Sequence, residues 1–470
     1  MESLTTDTEI ERQRALAFSE QPEIKLVGPC KLNDGVIRHS TFEQKKYVVK
    51  FMKSDISIQF FIPASGSGSR MFQFLYDFLE DPTEENRSKT EKFLNAIEDF
   101  PFFELLPYDL KERVRDYDIN LDEFVAYILK EEGLGLGLLP KGLLPFHRSR
   151  SFILNAFQEQ LLQGLRLKEQ EIHFHFTING QFEAKIRKSL ESIEQLTGRK
   201  CKITCSTQDP KTDAIAFDHE QNPIHKNGSD EILTRPSGHG ALLENLNKLD
   251  GELIFIKNID NIQHESNAET SVENLRYLGG LLQDFREELK TIYNSNSKQK
   301  DLEELNERYQ FIDKSIDFKK LKDQEVVDMI NRPTRVCGMV KNEGQPGGGP
   351  FWVEEKGSRS KQIVEKSQIK MKGEQYRLMV QSQYFNPVLM AVSTKDLNGN
   401  KIDLVEYADH SKYFIVNKKF EGRPIKFMEK PGLWNGSMAD WLTIFVEVPS
   451  QTFTPVKTVL DLLDEAHEEG

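Results

Sequence analysis

The stretch FIPASGSGSRMFQFLYDFLED, residues 61–81, restricts the possible folds of this chain more than any other. It completes the run ISIQFFI at 56–62, whose β-branched and aromatic residues predict a buried strand. Apolar residues then recur at helical spacing from Met71 to Leu79, and Pro82 provides a stop. The chain is therefore predicted to pass from strand to helix through a turn made of Ser, Gly and Arg.

Strand and helix patterns alternate from residue 56 to residue 292. EIHFHFTI, CKITCS and GELIFIKNIDN predict strands, and helical patterns lie between them. This alternation predicts an α/β fold with a mostly parallel sheet and helices on both faces. Ligands of such sheets bind beyond the carboxyl ends of the strands, so polar residues at those ends are the candidate site.

Residues 56–292 are predicted to form the core of the fold, and the remaining segments are predicted to flank it or to be inserted in it. Residues 1–55, with the strand-like piece KYVVKFM, form a lead-in. Residues 83–132 and 293–334 read as helical insertions. The strand patterns RVCGMV, RLMVQ, PVLMAVS and TIFVEV dominate residues 335–470, which we expect to complete the core and to end in an amphipathic helix.

Charge and composition exclude several classes of function. A formal net charge of −13 argues against nucleic-acid binding, which depends on Lys and Arg, but it allows a local basic pocket for a phosphorylated ligand. The sequence contains no apolar run of about 18 residues, the length expected of a membrane span. Its first residues lack the pattern of a secretory signal. The four cysteines form no CxxC pair, which indicates reduced thiols in a cytoplasmic protein. The oligomeric state is left open.

The loop after the first core strand has the chemistry of an anion site. Glycine and serine let backbone N–H groups approach a ligand closely, and the following helix adds its own unsatisfied N–H groups. Arg70 could contact phosphate oxygens with its planar guanidinium. The alternative is a tight turn without a ligand. A P-loop is excluded because Ser69-Arg70 stand where Lys-Ser/Thr is required, and a dinucleotide fingerprint is excluded because Met71 replaces its third glycine.

Four motifs resemble the signature of sugar-1-phosphate nucleotidylyltransferases of the UDP-sugar pyrophosphorylase type. They are PASGSGSRM, LLPKGLLPF, RPSGHGALLENL and IFIKNIDN. Nearly the whole chain, including RVCGMVKNEGQPGGGPFWV and WNGSMADWLTIFVEVP, resembles a bacterial family classed only as a domain of unknown function. In most of these transferases the Pro-Lys pair follows the glycine loop closely, whereas here about 70 residues intervene. A loop insertion costs little free energy, so Lys141 could still return to the site.

The resemblance implies a GT-A-like Rossmannoid sheet and a specific reaction, in which a nucleoside triphosphate and a sugar phosphate yield a nucleotide sugar and pyrophosphate. It also implies a divalent cofactor, Mg²⁺ or Mn²⁺. The implied catalytic residues are Arg70 at the pyrophosphate and Lys141 at the α-phosphate. The implied nucleotide-binding residues are Ser65, Gly66, Ser67, Gly68, Ser69, Ser237, Gly238, His239 and Gly240, and the implied metal ligand is Asp260.

Further candidates follow from local patterns. Asp440 is our candidate for a second metal ligand, with a solvated helix start as its alternative. The glycine-rich stretch at 343–352 could close over a sugar or phosphate, or be a mobile hairpin tip. His173 and His175 alternate on one strand, as metal ligands can, but no third ligand is evident and a hydrogen-bonded structural role is favoured. Candidate sugar-side residues are Asn261, Gly348, Asn386 and Asn435.

Three functions remain open at this point. The first is a nucleotidylyltransferase that transfers a nucleotidyl group, expected to be uridylyl, to a sugar or polyol phosphate. The second is a nucleotide- or nucleotide-sugar-binding regulator without turnover. The third is a glycosyltransferase on the same type of sheet, although Asp260-Asn261-Ile262 lacks the Asp-x-Asp that such enzymes usually carry.

Overall fold

The structure is a computed structural model that describes residues 7–226, 229–344, 348–355 and 357–469. The chain divides into two compact units, each assembled from three separate stretches. The first unit comprises Met1–Ile58, Gln208–Ile256 and Arg276–Pro449, and the second comprises Gln59–Thr207, Lys257–Leu275 and Ser450–Gly470.

The described residues contain these α-helices: α1 Asp7–Ala17, α2 Thr41–Lys53, α3 Gln73–Glu80, α4 Glu84–Asn95, α5 Tyr108–Arg115, α6 Leu121–Leu129, α7 Ala156–Leu165, α8 Glu183–Thr197, α9 Leu243–Asn247, α10 Glu269–Tyr293, α11 Lys298–Tyr309, α12 Asp323–Ile330 and α13 Gly373–Val380. Among the described residues, no helix is both long enough and apolar enough to cross a membrane.

The strands of the described residues are β1 Leu26–Pro29, β2 Lys31–Leu32, β3 Gly35–Ile37, β4 Ile58–Pro63, β5 Pro145–Ser149, β6 Phe152–Asn155, β7 Ile172–Thr177, β8 Lys202–Ser206, β9 Ala214–Ile215, β10 Thr234–Arg235, β11 Leu253–Lys257, β12 Thr334–Lys341, β13 Gly349–Glu355, β14 Ser358–Val364, β15 Tyr384–Phe385, β16 Leu389–Ser393, β17 Phe414–Phe420, β18 Arg423–Glu429 and β19 Leu442–Glu447.

The first unit contains the sheet order β2-β3-β19-β12-β16-β11. The pairs β2/β3, β3/β19 and β19/β12 are parallel, and β12/β16 is antiparallel. In the register of the parallel pair, Val336 lies opposite Ile444. Strands β12, β16 and β19 are buried along almost their whole length, as expected of sheet strands covered on both faces.

The second unit contains the order β4-β7-β8, with β7 and β8 parallel. Helices α7 and α8 pack together in this unit, and the Phe157 ring of α7 meets the Phe176 ring of β7 edge-on at 5.1 Å. A Cβ atom at Gly164 would lie 2.5 Å from the Phe174 ring, so glycine lets α7 approach the strand closely. The predicted α/β class, with a mostly parallel central sheet and a strand-rich C-terminal part, is confirmed.

Three local predictions are wrong, and tertiary contacts or caps explain each. KYVVKFM belongs to α2, because Ser40 and Glu43 form a reciprocal capping box that starts a helix. RLMVQ lies largely in α13, where Leu378 and Met379 pack on a buried apolar cluster. This packing outweighs the strand preference of the segment.

The predicted C-terminal amphipathic helix is also absent, since Val459–Leu463 form only a short 3₁₀ helix. The chain then bonds to residues that follow β11: the N–H of His264 donates to the Ala466 carbonyl at 2.9 Å. The side-chain amide of Asn267 donates to the carbonyls of Glu465 and Glu468. These partners hold the last residues in a form that cannot continue a helix.

Candidate functional site

The glycine loop follows β4 in the second unit and is open to solvent. Ala64 anchors it, because its buried N–H donates to the Thr177 carbonyl at 2.8 Å. Ser65, Gly66 and Ser67 are exposed, and Ser69–Phe72 form a 3₁₀ turn that leads into α3. Backbone groups are therefore presented at the carboxyl end of a buried strand, as the sequence predicted.

The distant Pro-Lys segment returns to this loop and pairs with it. The N–H of Gly68 donates to the Leu139 carbonyl at 3.0 Å, and the N–H of Lys141 donates to the Gly66 carbonyl at 3.0 Å. A Cβ at Gly68 would lie 2.8 Å from the Leu139 oxygen, whereas a Cβ at Gly66 would meet nothing within 4 Å. Gly68 is thus required by the protein itself, while Gly66 leaves open space.

Lys141 and Asp260 form a buried ion pair. The Nζ atom of Lys141 lies 2.7 Å from Oδ2 of Asp260, and their side chains are 15% and 11% exposed. Burial alone would raise the pKa of Asp260, but Lys141 and Lys457 outweigh it and hold this pKa below its ordinary value. Burial lowers the pKa of Lys141, and the Asp260 carboxylate opposes this shift.

Lys457 is a third charged residue of the site, and the sequence reasoning missed it. Its Nζ lies 3.4 Å from Oδ2 of Asp260, and its side chain is 52% exposed. It is placed there by main-chain pairing, in which the N–H of Val456 donates to the Asp260 carbonyl at 3.0 Å. The available signal was a lysine in the Pro-Val-Lys turn that follows the last strand, β19.

Asn261 and a buried histidine network hold the segment that carries Lys457. The side chain of Asn261 donates to the Thr452 carbonyl at 3.1 Å and accepts from the Thr454 N–H at 3.0 Å. Its amide is thereby committed to main-chain groups, in place of the predicted sugar contact. Deeper in the unit, Nε2 of His147 lies 2.9 Å from Nδ1 of His467.

Glu159 completes this network. Its Oε1 lies 2.6 Å from Nδ1 of His147. Burial raises the pKa of Glu159 to about 8 and lowers the pKa of His147 and of His467 to about 3. The neutral forms are favoured, so a protonated Glu159 donates to a neutral His147.

Arg70 and the histidines of β7 have different surroundings. Arg70 is exposed and makes no ion pair with any residue in the described ranges. It is therefore available to a ligand. The ring nitrogens of His173 bond Gln59 and Thr204, and those of His175 bond Thr204 and Ser206. Because every ring nitrogen has a partner, the β7 histidines are a structural pair.

The first unit gathers a second group of predicted residues around His239. The His239 and Trp434 rings stack with centroids 4.4 Å apart. The N–H of Leu433 donates to Nδ1 of His239 at 2.9 Å, so the ring proton belongs on Nε2, which lies 3.6 Å from Oε1 of Glu365. The amide of Asn435 donates to the same Glu365 oxygen at 2.8 Å.

The other residues of this group are held by main-chain contacts. Ser237 is buried, and its hydroxyl accepts from the Lys430 N–H at 2.9 Å. Gly238 has a positive φ of 64°, which favours glycine, and a Cβ at Gly240 would lie 2.0 Å from the Pro431 carbonyl oxygen. The N–H of Asn386 donates to the Gly348 carbonyl at 2.8 Å.

Glu365 is the residue of this group that sequence reasoning missed. Burial alone would raise its pKa, but the contacts with His239 and Asn435 keep the pKa below its ordinary value. An ionised carboxylate beside an imidazole and an amide can accept hydroxyl hydrogens of a ligand. Residues 345–347 of the glycine-rich stretch lie outside the described residues.

Asp440 belongs to the first unit, whereas Asp260 belongs to the second. Asp440 is exposed in a surface cleft with Asp328, Arg332 and Tyr407, and its assignment as a second metal ligand stays a prediction. In the described ranges, no group of three or more His, Cys, Asp or Glu side chains is arranged for a metal ion. A metal at Asp260 would therefore take most of its ligands from phosphates and water, which is a usual arrangement for Mg²⁺.

Comparison with known proteins assigns the chain to a family. The chain matches the family described as a domain of unknown function (DUF4301) over residues 2–468, and it belongs to this family. The predicted membership of a family classed only in this way is confirmed. Among curated proteins, no significant match is found.

Similar solved structures match this chain at low identity, and those named here have TM-scores below 0.5. A UDP-glucose pyrophosphorylase from Leishmania major in complex with UDP-glucose is 12% identical with a TM-score of 0.43, covering 96% of this chain and 73% of its own. A putative UDP-N-acetylglucosamine pyrophosphorylase from Entamoeba histolytica is 13% identical with a TM-score of 0.48, covering 94% and 84%. A UDP-glucose phosphorylase from Trypanosoma brucei is 12% identical with a TM-score of 0.44, covering 96% and 72%. The function of this chain has to be inferred from its own residues.

Proposed function

We propose that this protein is a nucleotidylyltransferase that moves a nucleotidyl group, expected to be uridylyl, from a nucleoside triphosphate to a sugar or polyol phosphate. The observation that carries the proposal is the place of Lys141. Its main chain is bonded to the glycine loop, and its ammonium group lies on Asp260. One lysine thereby joins a loop suited to phosphates and a carboxylate suited to a divalent ion.

The reaction requires positioning and charge neutralisation more than covalent help from the protein. A phosphate oxygen of the acceptor forms a bond to the α-phosphorus of the triphosphate. The bond from that phosphorus to the bridging oxygen breaks, and pyrophosphate leaves with the electron pair. The attacking phosphate is already ionised near neutral pH, so no general base is needed.

The second unit supplies the groups for the phosphates. We assign the loop Ser65–Ser69 to the triphosphate and Arg70 to the departing pyrophosphate. The loop would act through the N–H groups of Ser65, Gly66 and Ser67, because the N–H groups of Gly68 and Ser69 donate to protein oxygens. Lys141 and Lys457 would neutralise charge that develops at the α-phosphate. The part of Ser237, Gly238 and Gly240 in nucleotide binding stays a prediction, and His239 is assigned to the polar group around Glu365.

We propose that the polar group around Glu365 in the first unit binds the hydroxyl groups of a sugar. Its members offer a carboxylate, an imidazole and amides, which match the hydroxyl groups of a sugar. The residues are His239, Glu365, Asn386 and Asn435, with Gly348 beside them.

Asp260 fits Mg²⁺ as the single protein carboxylate of a site completed by phosphates and water. Both lysines contact Oδ2, and Oδ1 accepts no hydrogen bond from any described residue. One hard oxygen is therefore available to a divalent ion. Asp260 would hold the ion, whose positive charge would offset the charge of the phosphates.

The same ion pair supports a second candidate, a nucleotide-binding regulator without turnover. A carboxylate that already neutralises two lysines can be satisfied without a metal, and Lys141 would have to leave it to reach a phosphate. Such a protein would bind a nucleoside triphosphate or a nucleotide sugar but would release no pyrophosphate.

The test is to incubate pure protein with each nucleoside triphosphate, Mg²⁺ and a panel of sugar 1-phosphates, and to follow pyrophosphate release. We expect release for at least one pair, and its reversal when the matching nucleotide sugar is mixed with pyrophosphate. Tight UTP binding with no release for any pair would favour the regulator. Absence of both binding and release would reject the two functions together.

A further inference from the structure

A cavity of about 450 Å³ lies within the first unit, and its lining includes none of the residues assigned above. Ser54–Ile56, one side of α10, Ser393 at the end of β16 and the turn that follows it form the walls. Glu252, also in the wall, directly precedes β11, whereas Asp260 follows the carboxyl end of that strand. Active sites of such sheets lie at the carboxyl ends, so this cavity is not explained by the proposed reaction.

Arg286 of α10 is the principal charge inside the cavity. Its guanidinium donates to the Asp396 carbonyl at 2.8 Å and to the Thr334 hydroxyl at 3.5 Å. It makes no ion pair with any carboxylate of the described residues. Burial lowers the pKa of Arg286 to about 10, and Asp396 and Glu252 oppose this shift from a distance. Arg286 is partly buried. A partly buried cation without an anionic partner loses hydration, and a bound anion would offset that loss.

The acidic residues nearest to Arg286 have other partners or lie at the rim. The Asp396 carboxylate accepts from the N–H groups of Asn398 and Asn400 at 2.9 and 2.7 Å. Glu287 pairs with Lys50 at 2.7 Å. Glu252 and Asp55, which also line the cavity, are exposed, so solvent screens them. The interior of the cavity is thus left with a positive guanidinium.

Ser393 provides a second, independent sign of a ligand. It is fully buried, lines the same cavity, and its hydroxyl has no hydrogen-bond partner in the described part of the chain. A buried hydroxyl without a partner costs free energy unless a ligand or water completes it.

The walls are preformed and partly apolar. The N–H of Leu397 donates to the Asn331 side chain at 2.8 Å, which fixes the turn over the cavity. Gln283 donates to the Ser54 hydroxyl at 3.2 Å on the opposite wall. Leu282 and Leu397 supply buried apolar surface. Preformed cavities of this size with a few converging polar groups are typical small-molecule sites.

We propose that this cavity binds a small molecule with one anionic oxyacid group, a carboxylate or a phosphate ester, held by Arg286 and Ser393, and with an apolar body against Leu282 and Leu397. The assignment does not depend on the proposed reaction.

Phenyl phosphate and benzoate are suitable probes because they carry the two oxyacid groups on the same apolar ring, and benzyl alcohol is the neutral control. Saturation-transfer NMR titrations of the full chain should give a dissociation constant on the order of 1 mM for at least one anionic probe. Tighter binding of phenyl phosphate would indicate a phosphate ester as the ligand, and tighter binding of benzoate would indicate a carboxylate.

Substitutions in the cavity test whether the probes bind there. Arg286→Gln should weaken it at least about 10-fold and Ser393→Ala at least about 3-fold, because each removes a hydrogen bond to a charged group. Arg359→Gln, which removes an exposed arginine of the same unit, and Lys141→Ala should leave it unchanged. If Arg286→Gln does not fold, Ser393→Ala decides. No binding by the wild type at about 10 mM, equal binding of benzyl alcohol, or insensitivity to both cavity variants would overturn the proposal.

Discussion

The Nζ atom of Lys141 lies 2.7 Å from Oδ2 of Asp260, although 119 residues separate them in the chain. The main chain of Lys141 is at the same time bonded to Gly66. A glycine loop, a lysine and a carboxylate thus form one polar centre in the second unit.

Replacing Lys141 should abolish most of the catalysis. Lys141→Ala removes the buried positive charge proposed to act at the α-phosphate, and the rate of pyrophosphate release should fall at least about 100-fold. Lys130→Ala, in which the lysine is exposed, is the matched control and should have normal activity. A near-normal rate for Lys141→Ala would clear this lysine of a catalytic role.

Asp260 and Lys457 should differ in their effects on stability. Asp260→Asn leaves the buried Lys141 without its partner and should lower the free energy of unfolding by roughly 3 kcal/mol. Lys457 is half exposed, so Lys457→Ala should cost less than about 1 kcal/mol. Both variants should slow pyrophosphate release. Urea unfolding checks the stabilities, and equal losses would contradict the burial difference on which this expectation rests.

Alanine substitutions at the two glycines of the loop should affect different properties, stability at Gly68 and UTP binding at Gly66. A methyl group at Gly68 would collide with the Leu139 carbonyl, so Gly68→Ala should lower the melting temperature. A methyl group at Gly66 meets no protein atom within 4 Å, so Gly66→Ala should fold normally but bind UTP more weakly. Melting curves and UTP titrations separate these outcomes. Unchanged UTP binding by Gly66→Ala would argue that phosphates do not approach this glycine.

The buried network predicts a pH dependence of stability. The pKa of Glu159 is raised to about 8 from an ordinary 4.5, so its contribution is fully present below pH 4.5 and is lost as the pH rises through 8. Glu159→Gln can donate the same hydrogen bond to His147 without titrating. It should remove this alkaline loss, whereas Glu171→Gln, an exposed control, should keep it.

The histidines of the network act in the opposite direction. Their pKa values are lowered to about 3 from 6.5, so their contribution is present above pH 6.5 and is lost as the pH falls towards 3. Melting temperatures of the wild type and Glu159→Gln between about pH 5 and pH 9 are the measurement. Parallel curves for the two proteins would contradict a protonated Glu159.

The sequence was sufficient for elements that carry strong periodic patterns. ISIQFFI, EIHFHFTI and GELIFIKNIDN became β4, β7 and β11. These segments are buried, so their patterns report their packing directly. KYVVKFM and RLMVQ failed because a cap and a tertiary contact decided their structure.

The site was only partly predictable for a related reason. Its loop residues carry local signals, since Gly and Ser after a strand suggest a phosphate turn. Glu365 carries no such signal and Lys457 only its place in a Pro-Val-Lys turn, because each gains its position from contacts with residues distant in the chain. Asn261 shows the reverse case: its position at a strand end suggested a ligand contact, but its amide holds the main chain of 452–454.

The most direct test of the central claim follows the fate of the α-phosphate. Wild-type protein and Lys141→Ala are incubated with UTP labelled at the α-phosphate, Mg²⁺ and the panel of sugar 1-phosphates, with γ-labelled UTP as the control. We predict that the α-label appears in a nucleotide sugar with the wild type only, and that the γ-label appears only in pyrophosphate. Equal transfer by Lys141→Ala, or UTP binding without label transfer to any acceptor, would contradict the account.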